Sequence, residues 1–419
     1  VTTPLRRVAG LLALAAVPLA VLGVFFALPV AAMVGRGLVA EGQLDLGALV
    51  EVLGRERTAR VLWFTLWSAA AGTALSLLLG LPAAHVLHRL SFPGRRVLRA
   101  VLLVPFVLPT LVVGVAFRQL LGAAGPLGGL GLDGSALGIV AGLAFFNTAV
   151  VIRTVGATWE SLDPRPAEAA AALGASPRQV LWTVTLPALR PAVVSAATVV
   201  FLFCATAFGV VLTLGGLRYS TIETEIYLLT TNLFDLRAAA VLSLLQIAVV
   251  LVLLVVVQRL RAGADPTVQR SAPRPRRPGL GDLPAVAATG LVLVLVGLPI
   301  ATLVSGSLRV GDGWGLAHYR ALSGTDGDDA LVVPVTQALA TSLRTAVDAT
   351  WMSLSLGLLV AVLVTRRSRS RGERRVRGTL DAVFMLPLGV SAVTVGFGFL
   401  IALDEPPLDL RDSPLLVPV

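Results

Sequence analysis

Apolar residues in this chain come in blocks of twenty or more, separated by short polar stretches. The blocks fall at 8–34, 61–86, 100–121, 136–155, 192–214, 238–257, 283–304, 338–364 and 380–403. About 20 residues of helix at 1.5 Å each match the apolar thickness of a bilayer, so each block reads as a membrane-crossing helix. The pattern predicts an all-α, polytopic helical bundle of about nine complete crossings, with the residues up to Val419 opening a tenth. The first block follows Arg6 and Arg7, as in a signal peptide, but exceeds the usual apolar core of one, so a retained crossing is expected. The segment LPIATLVSGSL from Leu298 echoes LPVAAMVGRGL from Leu28, and an internal copy cannot be a leader.

The polar stretches alternate in character. Arg89, Arg95, Arg96 and Arg99 follow the second block, six arginines lie in the Pro-rich stretch 259–282, and seven lie between Arg366 and Arg377. The intervening stretches, 35–60 and 215–237 among them, balance acids against bases. Arginine excess marks the cytoplasmic side, which puts the N-terminus inside and makes 259–282 an extended cytoplasmic linker.

Composition agrees and narrows the choice. Hydrophobic residues make up 56% of 419 and mean hydropathy is +0.86, which excludes a water-soluble domain. All 34 basic residues are arginine, and the net charge of +10 reports topology rather than nucleic acid. Without lysine, no phosphate-binding loop of the G-x-x-x-x-G-K-S/T type exists, so any ATPase is another chain. Cys204 alone cannot form an internal disulfide, and His85, His88 and His318 are too scattered for a metal site and read as buried or interfacial. No cofactor is implied.

One polar stretch is arranged rather than merely soluble. In 163–191, DPRPAEAAAALGASPRQVLWTVTLPALRP, Asp163 and Pro164 form a helix start, and helix formers run from Glu168 to Leu173. Gly174 suits a left-handed closing turn, and Ser176 with Pro177 starts a second helix. That helix carries Val180, Leu181, Val184 and Leu186 on one stripe and is expected to end at Pro187 and Pro191. Taken alone, the pattern is also that of an interfacial amphipathic hairpin with no partner.

The chain also repeats. At one offset Ser76 falls on Ser353, Gly80 on Gly357 and Arg89 on Arg366; after an insertion Pro105 and Gly114 fall on Pro387 and Gly396. Six crossings separate the copies, so both have the same orientation. Residues 1–258 read as a first half, 259–282 as the linker and 283–419 as an incomplete second half, either a fragment or a disrupted gene, without a second copy of the 163–191 stretch.

Glu168, Ala169, Ala170, Gly174, Val184, Leu186 and Pro187 at these spacings resemble the EAA loop of ABC-transporter permeases. In that family the loop docks on an ATP-binding subunit, so the resemblance implies that Glu168, Ala169, Ala170, Gly174, Leu186 and Pro187 shape such a contact. It also implies two ATPase copies, an extracytoplasmic solute-binding protein, membrane lipid as surroundings and the bacterial cytoplasmic membrane as location. The segments FLFCATAFGVVLTLGG, TIETEIY and FDLRAAAVLSLLQ, with PLGVSAVTVGFG later, resemble two-half importer permeases for thiamine or ferric iron. The implied function is import of a small solute, thiamine favoured. An ion-coupled secondary transporter and a non-functional remnant are the other readings.

Polar residues within crossings are pathway candidates. Asn147 and Gln246 either face a conduit or hydrogen-bond between helices. Asp348 lies roughly 10 Å from the outer end of its block at about 1.5 Å per residue. It either meets a cationic substrate or pairs with Arg344 one turn earlier. Arg118 is expected to snorkel. Glu223 and Glu225 read as ordinary surface charge or as a contact for the binding protein.

Overall fold

The computed structural model describes residues 4–40, 43–216, 218–261, 275–311, 313–323, 333–368, 370–390, 392–403, 413 and 416–418. Most of the expected linker (262–274), part of the 305–337 loop (324–332) and most of 404–419 lie outside the described residues.

The first crossing is α1 (Pro4–Leu22), a five-residue wide turn at Gly23–Ala27, and α2 (Leu28–Leu38). A two-residue hairpin pairs Val39–Ala40 with Gln43–Leu44, and α3 (Leu46–Gly54) follows. Next come α4 (Glu56–Arg89), α5 (Arg95–Val101), α6 (Val104–Val107), α7 (Thr110–Leu121) and α8 (Ala136–Ser161). The polar stretch forms α9 (Arg165–Ala172) and α10 (Pro177–Val180), and a wide turn at Leu181–Thr185 leads into α11 (Leu186–Ala205). Then follow α12 (Gly209–Gly215), α13 (Ile222–Thr231), α14 (Leu236–Arg261) and α15 (Leu283–Leu308). A second hairpin, Arg309–Val310 with Gly313–Trp314, precedes α16 (Ala317–Arg320), α17 (Val335–Thr365), α18 (Arg371–Met385) and α19 (Ala392–Ala402).

Seven of these helical runs are long and apolar enough to cross a membrane, and an eighth is bent by 103° between Arg95–Val107 and Thr110–Leu121. The sequence predicted one straight crossing there. Pro109 supplies no amide and drives Leu108 into extended backbone (ψ 136°), which interrupts the ladder. The fifth expected crossing, 192–214, is likewise divided: α11 ends at Ala205 and α12 starts at Gly209. The ninth, 380–403, is split among α18, a tight turn at Leu386–Gly389 and α19.

Pro187 and Pro191 do not end the helix that starts at Pro177, contrary to expectation. In the turn at Leu181–Thr185 the Leu186 amide reaches back five residues to the Leu181 carbonyl. The wider ring relieves the clash between a proline ring and the carbonyl one turn earlier. The same device precedes Pro29, where the Leu28 amide bonds the Gly23 carbonyl.

The internal repeat extends to backbone pairing. An offset of 270 carries Val39↔Leu44 and Ala40↔Gln43 onto Arg309↔Trp314 and Val310↔Gly313. The closing bonds correspond too: Asp45 N–H to the Leu38 carbonyl and Gly315 N–H to the Leu308 carbonyl, both 2.8 Å. The break after α6 also recurs, since Val390 before α19 has ψ 136° like Leu108 before α7.

The chain forms two compact units. In the unit made of 54–225 and 249–306, α4 packs along α8, and α11 packs on both. Leu79, Leu87, Leu143, Phe145, Val151 and Leu189 are buried at its centre. Small residues set the spacing: a Cβ on Gly80 would lie 2.7 Å from the Val151 side chain, and one on Gly142 2.8 Å from Val210. In the unit made of 1–53, 226–248 and 307–419, α1 packs on α17 and α18 through Leu11, Ala15, Leu363 and Leu380, and α2 packs on α19. There Phe25 meets Phe399 edge to face at 6.3 Å, and Pro29 lies against Gly398.

Candidate coupling site

The hairpin between α8 and α11 is built from local rules. Asp163 Oδ1 accepts from the Arg165 amide at 3.0 Å, and α9 follows. Three bonds close it: Leu173 N–H to Ala169 O, Gly174 N–H to Ala171 O and Ala175 N–H to Ala170 O. The last two form the Schellman pattern, and Gly174 takes φ +87°, a conformation that a side chain would strain. Ser176 Oγ then accepts from the Gln179 amide while Gln179 Oε1 accepts from the Ser176 amide at 2.8 Å, a reciprocal capping box.

The hairpin is exposed along almost its whole length. Glu168, Ala169, Gly174 and Pro187 are exposed, and Ala170 and Leu186 are half-buried. Leu173 is 89% exposed and Trp182 70%, with Leu181 beside them. No described element buries Leu173 or Trp182. Sequence reasoning passed over Leu173 and Trp182; a large apolar residue at the closing turn of a short polar helix was the signal available.

Behind the hairpin, α4 and α8 end in two clusters of charge. Glu160 on α8 receives Arg95 at 3.2 Å, Arg99, and His88 Nδ1 at 3.2 Å. Gly156 makes that possible, because a Cβ there would fall 2.2 Å from the His88 ring. Asp282, buried just before α15, accepts from Arg276 at 2.7 and 2.8 Å, from the Gly279 amide at 2.9 Å, and lies 3.0 Å from His85 Nε2. Arg276 also pairs through its backbone with Arg89 and Ser91, so the described end of the linker is stitched to the end of α4. Glu168 stands within electrostatic reach of Arg89.

The pathway candidates are differently placed. Asn147 is buried; its Nδ2 donates to the Leu143 carbonyl at 2.9 Å and approaches Cys204 Sγ at 3.3 Å. Gln246 is buried on α14. Asp348, half-buried on α17, accepts from the Trp351 indole at 3.4 Å, and no ion pair joins it to Arg344. Arg118 is exposed at the end of α7.

Glu223 and Glu225 are a correction. They were expected at the surface, but both are buried at the start of α13. Arg57 holds Glu225 with Nε at 2.5 Å and Nη2 at 3.0 Å, a bidentate grip from a residue 168 positions away. Of the histidines, His85 and His88 are half-buried, but His318 is exposed, with Nε2 3.0 Å from the Arg309 carbonyl oxygen.

Residues 76–270, which contain the hairpin, match the family of binding-protein-dependent transport system inner membrane components. The molybdenum transport system permease protein of Mycobacterium tuberculosis is 40% identical over 220 residues, covering 47% of this chain and 78% of that protein. The chain belongs to this permease family. The sulfate transport system permease protein of Escherichia coli is 31% identical over 228 residues, 52% of this chain and 82% of its own. The thiamine transport system permease protein of Brucella abortus is 29% identical over 375 residues, 85% of this chain. This permease spans about 65% of that relative's length. Membership fixes the fold as all-α and multi-pass and the family as one of transport-system inner membrane components.

Proposed function

We propose that this permease is the membrane subunit of an ATP-driven importer that receives a small solute from an extracytoplasmic binding protein and releases it into the cytoplasm. In this reading the N-terminus and the hairpin are cytoplasmic, 1–258 and 283–419 are two halves joined by the linker, and a separate ATP-binding subunit docks on the hairpin. The observation that carries it is a capped, bent hairpin that leaves Leu173 and Trp182 uncovered on a polar loop. Large apolar side chains on a solvated turn cost free energy unless a partner covers them, and an aromatic anchor is the usual centre of such a contact. Glu168, Ala169, Ala170, Gly174, Leu186 and Pro187 then shape the docked surface. Closure of the ATPases on ATP moves the hairpin and shifts the crossings between outward and inward openings.

Thiamine is the substrate we favour, because the thiamine permease alignment runs through both proposed halves. A ferric-iron importer is the second reading, because the segments 201–216, 221–227, 234–246 and 387–398 resemble ferric-iron permeases as well as thiamine permeases. Asn147, Gln246 and Asp348 are candidate pathway residues in either reading.

The test is co-purification of the full chain with its ATP-binding subunit, followed by ATPase measurement. Leu173→Asp with Trp182→Ala is expected to cut complex formation about 30-fold, the factor matching a truncation cost of about 2 kcal/mol, while the free permease stays folded. A complex that forms equally well with the double variant overturns the docking assignment. Thiamine binding by the cognate binding protein tests the substrate separately.

A further inference from the structure

Between the end of α4 and the start of α5 lies a cavity of about 620 Å³, lined by Ser91, Phe92, Gly94, Arg95, Arg96, Val97 and Arg99. Three of the seven lining residues are arginines and none is acidic. Two of the guanidinium groups are held in place. Arg95 donates to the Leu90 carbonyl at 3.1 Å and to Glu160, while Arg99 Nε donates to the Leu87 carbonyl at 2.8 Å and its Nη2 to Glu160. Each has five N–H donors, and these bonds do not exhaust them. Arg96 is exposed and makes no hydrogen bond or ion pair among the described residues. Glu160 is one carboxylate shared among Arg95, Arg99 and His88, so among the described residues that line or pair with the cavity positive charge is in surplus.

The rim supplies the second observation. Val97 lines the cavity and is 68% exposed, and from it an exposed apolar row continues through Val101, Val104 and Val107 along α5 and α6. A site for a free anion or an acidic peptide has no use for such a row. A molecule with a phosphoryl group at one end and hydrocarbon at the other fits both parts.

We propose that this cavity binds the phosphoryl headgroup of an anionic phospholipid, with Arg95 and Arg99 as the fixed donors and Arg96 closing over the phosphate. The acyl chains then lie on Val97, Val101, Val104 and Val107. Pre-oriented arginine forks suit phosphate oxygens, and basic sites between membrane helices near the bilayer surface recognise such headgroups. The site does not depend on which solute is carried.

The experiment uses the full chain, reconstituted in vesicles of phosphatidylglycerol and phosphatidylcholine, extracted in mild detergent, and analysed for retained lipid by native mass spectrometry. Phosphatidylglycerol is expected to be retained over phosphatidylcholine. Arg96→Gln should reduce that preference about fivefold, the factor that corresponds to the roughly 1 kcal/mol contributed by one basic residue near a charged membrane surface. Arg96 is exposed and unbonded, so this variant keeps the fold, and unchanged helicity by circular dichroism checks it. Arg320→Gln, on the short helix α16, should leave the preference intact. Equal retention in wild type and Arg96→Gln overturns the site, as does an equal loss in Arg320→Gln. Inorganic phosphate distinguishes the sources: if it strips the retained phosphatidylglycerol without added lipid, the cavity is a free-phosphate site and the lipid assignment fails.

Discussion

The helices α4 and α17 carry the same pattern of small residues in the same register, yet their surroundings differ. Half of the apolar window of α4 is buried, against 6% of that of α17. Ser76 is fully buried and its counterpart Ser353 is exposed; Gly80 lies against Val151, and its counterpart Gly357 meets nothing within 4 Å. The pattern therefore prescribes a face on which another helix can lie closely, but it does not by itself bury that face. What buries it in the first copy is α8, carrying Leu143 and Val151, with α11 beside it.

The C-terminal ends of the two helices differ as well. The offset that puts Arg89 on Arg366 puts His85 on Val362 and His88 on Thr365. Only the first copy has the imidazoles that reach Asp282 and Glu160. One device is kept in both: an arginine from the following helix caps the last carbonyls, Arg99 on Leu87 and Arg377 on Leu363. A cation at a helix C-terminus satisfies orphan acceptors and opposes the helix dipole.

The largest expected effect separates the two glycines. Gly80→Val must displace Val151 and should destabilise the permease by about 3 kcal/mol, whereas Gly357→Val should change stability by about 0.5 kcal/mol or less. Thermal unfolding in detergent reads both, and equal losses would erase the distinction between a covered and an open face. Next in size is Asp282→Asn, which weakens the bonds from Arg276 and from His85, a histidine whose counterpart in the second copy is Val362. A loss of about 2 kcal/mol is expected, with faster proteolysis at the linker; Arg276 is half exposed, which keeps the value below that of a fully buried pair. Smallest is Ser76→Ala. Its hydroxyl donates to the Gly72 carbonyl of its own helix at 2.7 Å, so removal should cost about 0.6 kcal/mol or less, close to the result at Ser353. A much larger loss at Ser76 would mean that it bonds across the interface instead.

Local chemistry made much of this legible in advance. The closing turn at Gly174, the cap at Ser176 and the helix start at Asp163 each depend on a few adjacent residues, and all three form. The repeat was visible in side chains before it was visible in paired backbone. What escaped depends on partners or on backbone adjustment. Pro187 and Pro191 read as terminators because the wide turn that accommodates Pro187 leaves no mark in residue type. Pro109 inside an apolar block hides a bend, since hydropathy measures length and not direction. Glu225 looked solvated because Arg57 is far away in sequence, and Leu173 and Trp182 escaped notice because exposure is a property of the folded chain.

The wide turn at Leu181–Thr185 leaves 177–205 as one uninterrupted run of 29 residues. At about 1.5 Å per residue this is a rod of about 44 Å, with the exposed Trp182 near one tip and the gap before Gly209 at the other. Tilting such a rod by about 5° about Trp182 swings Ala205, about 34 Å away, by about 3 Å, more than half of a helical turn. In the reading proposed above, a small push on the loop would reach the other end of this run undiminished, since no break along 177–205 absorbs it.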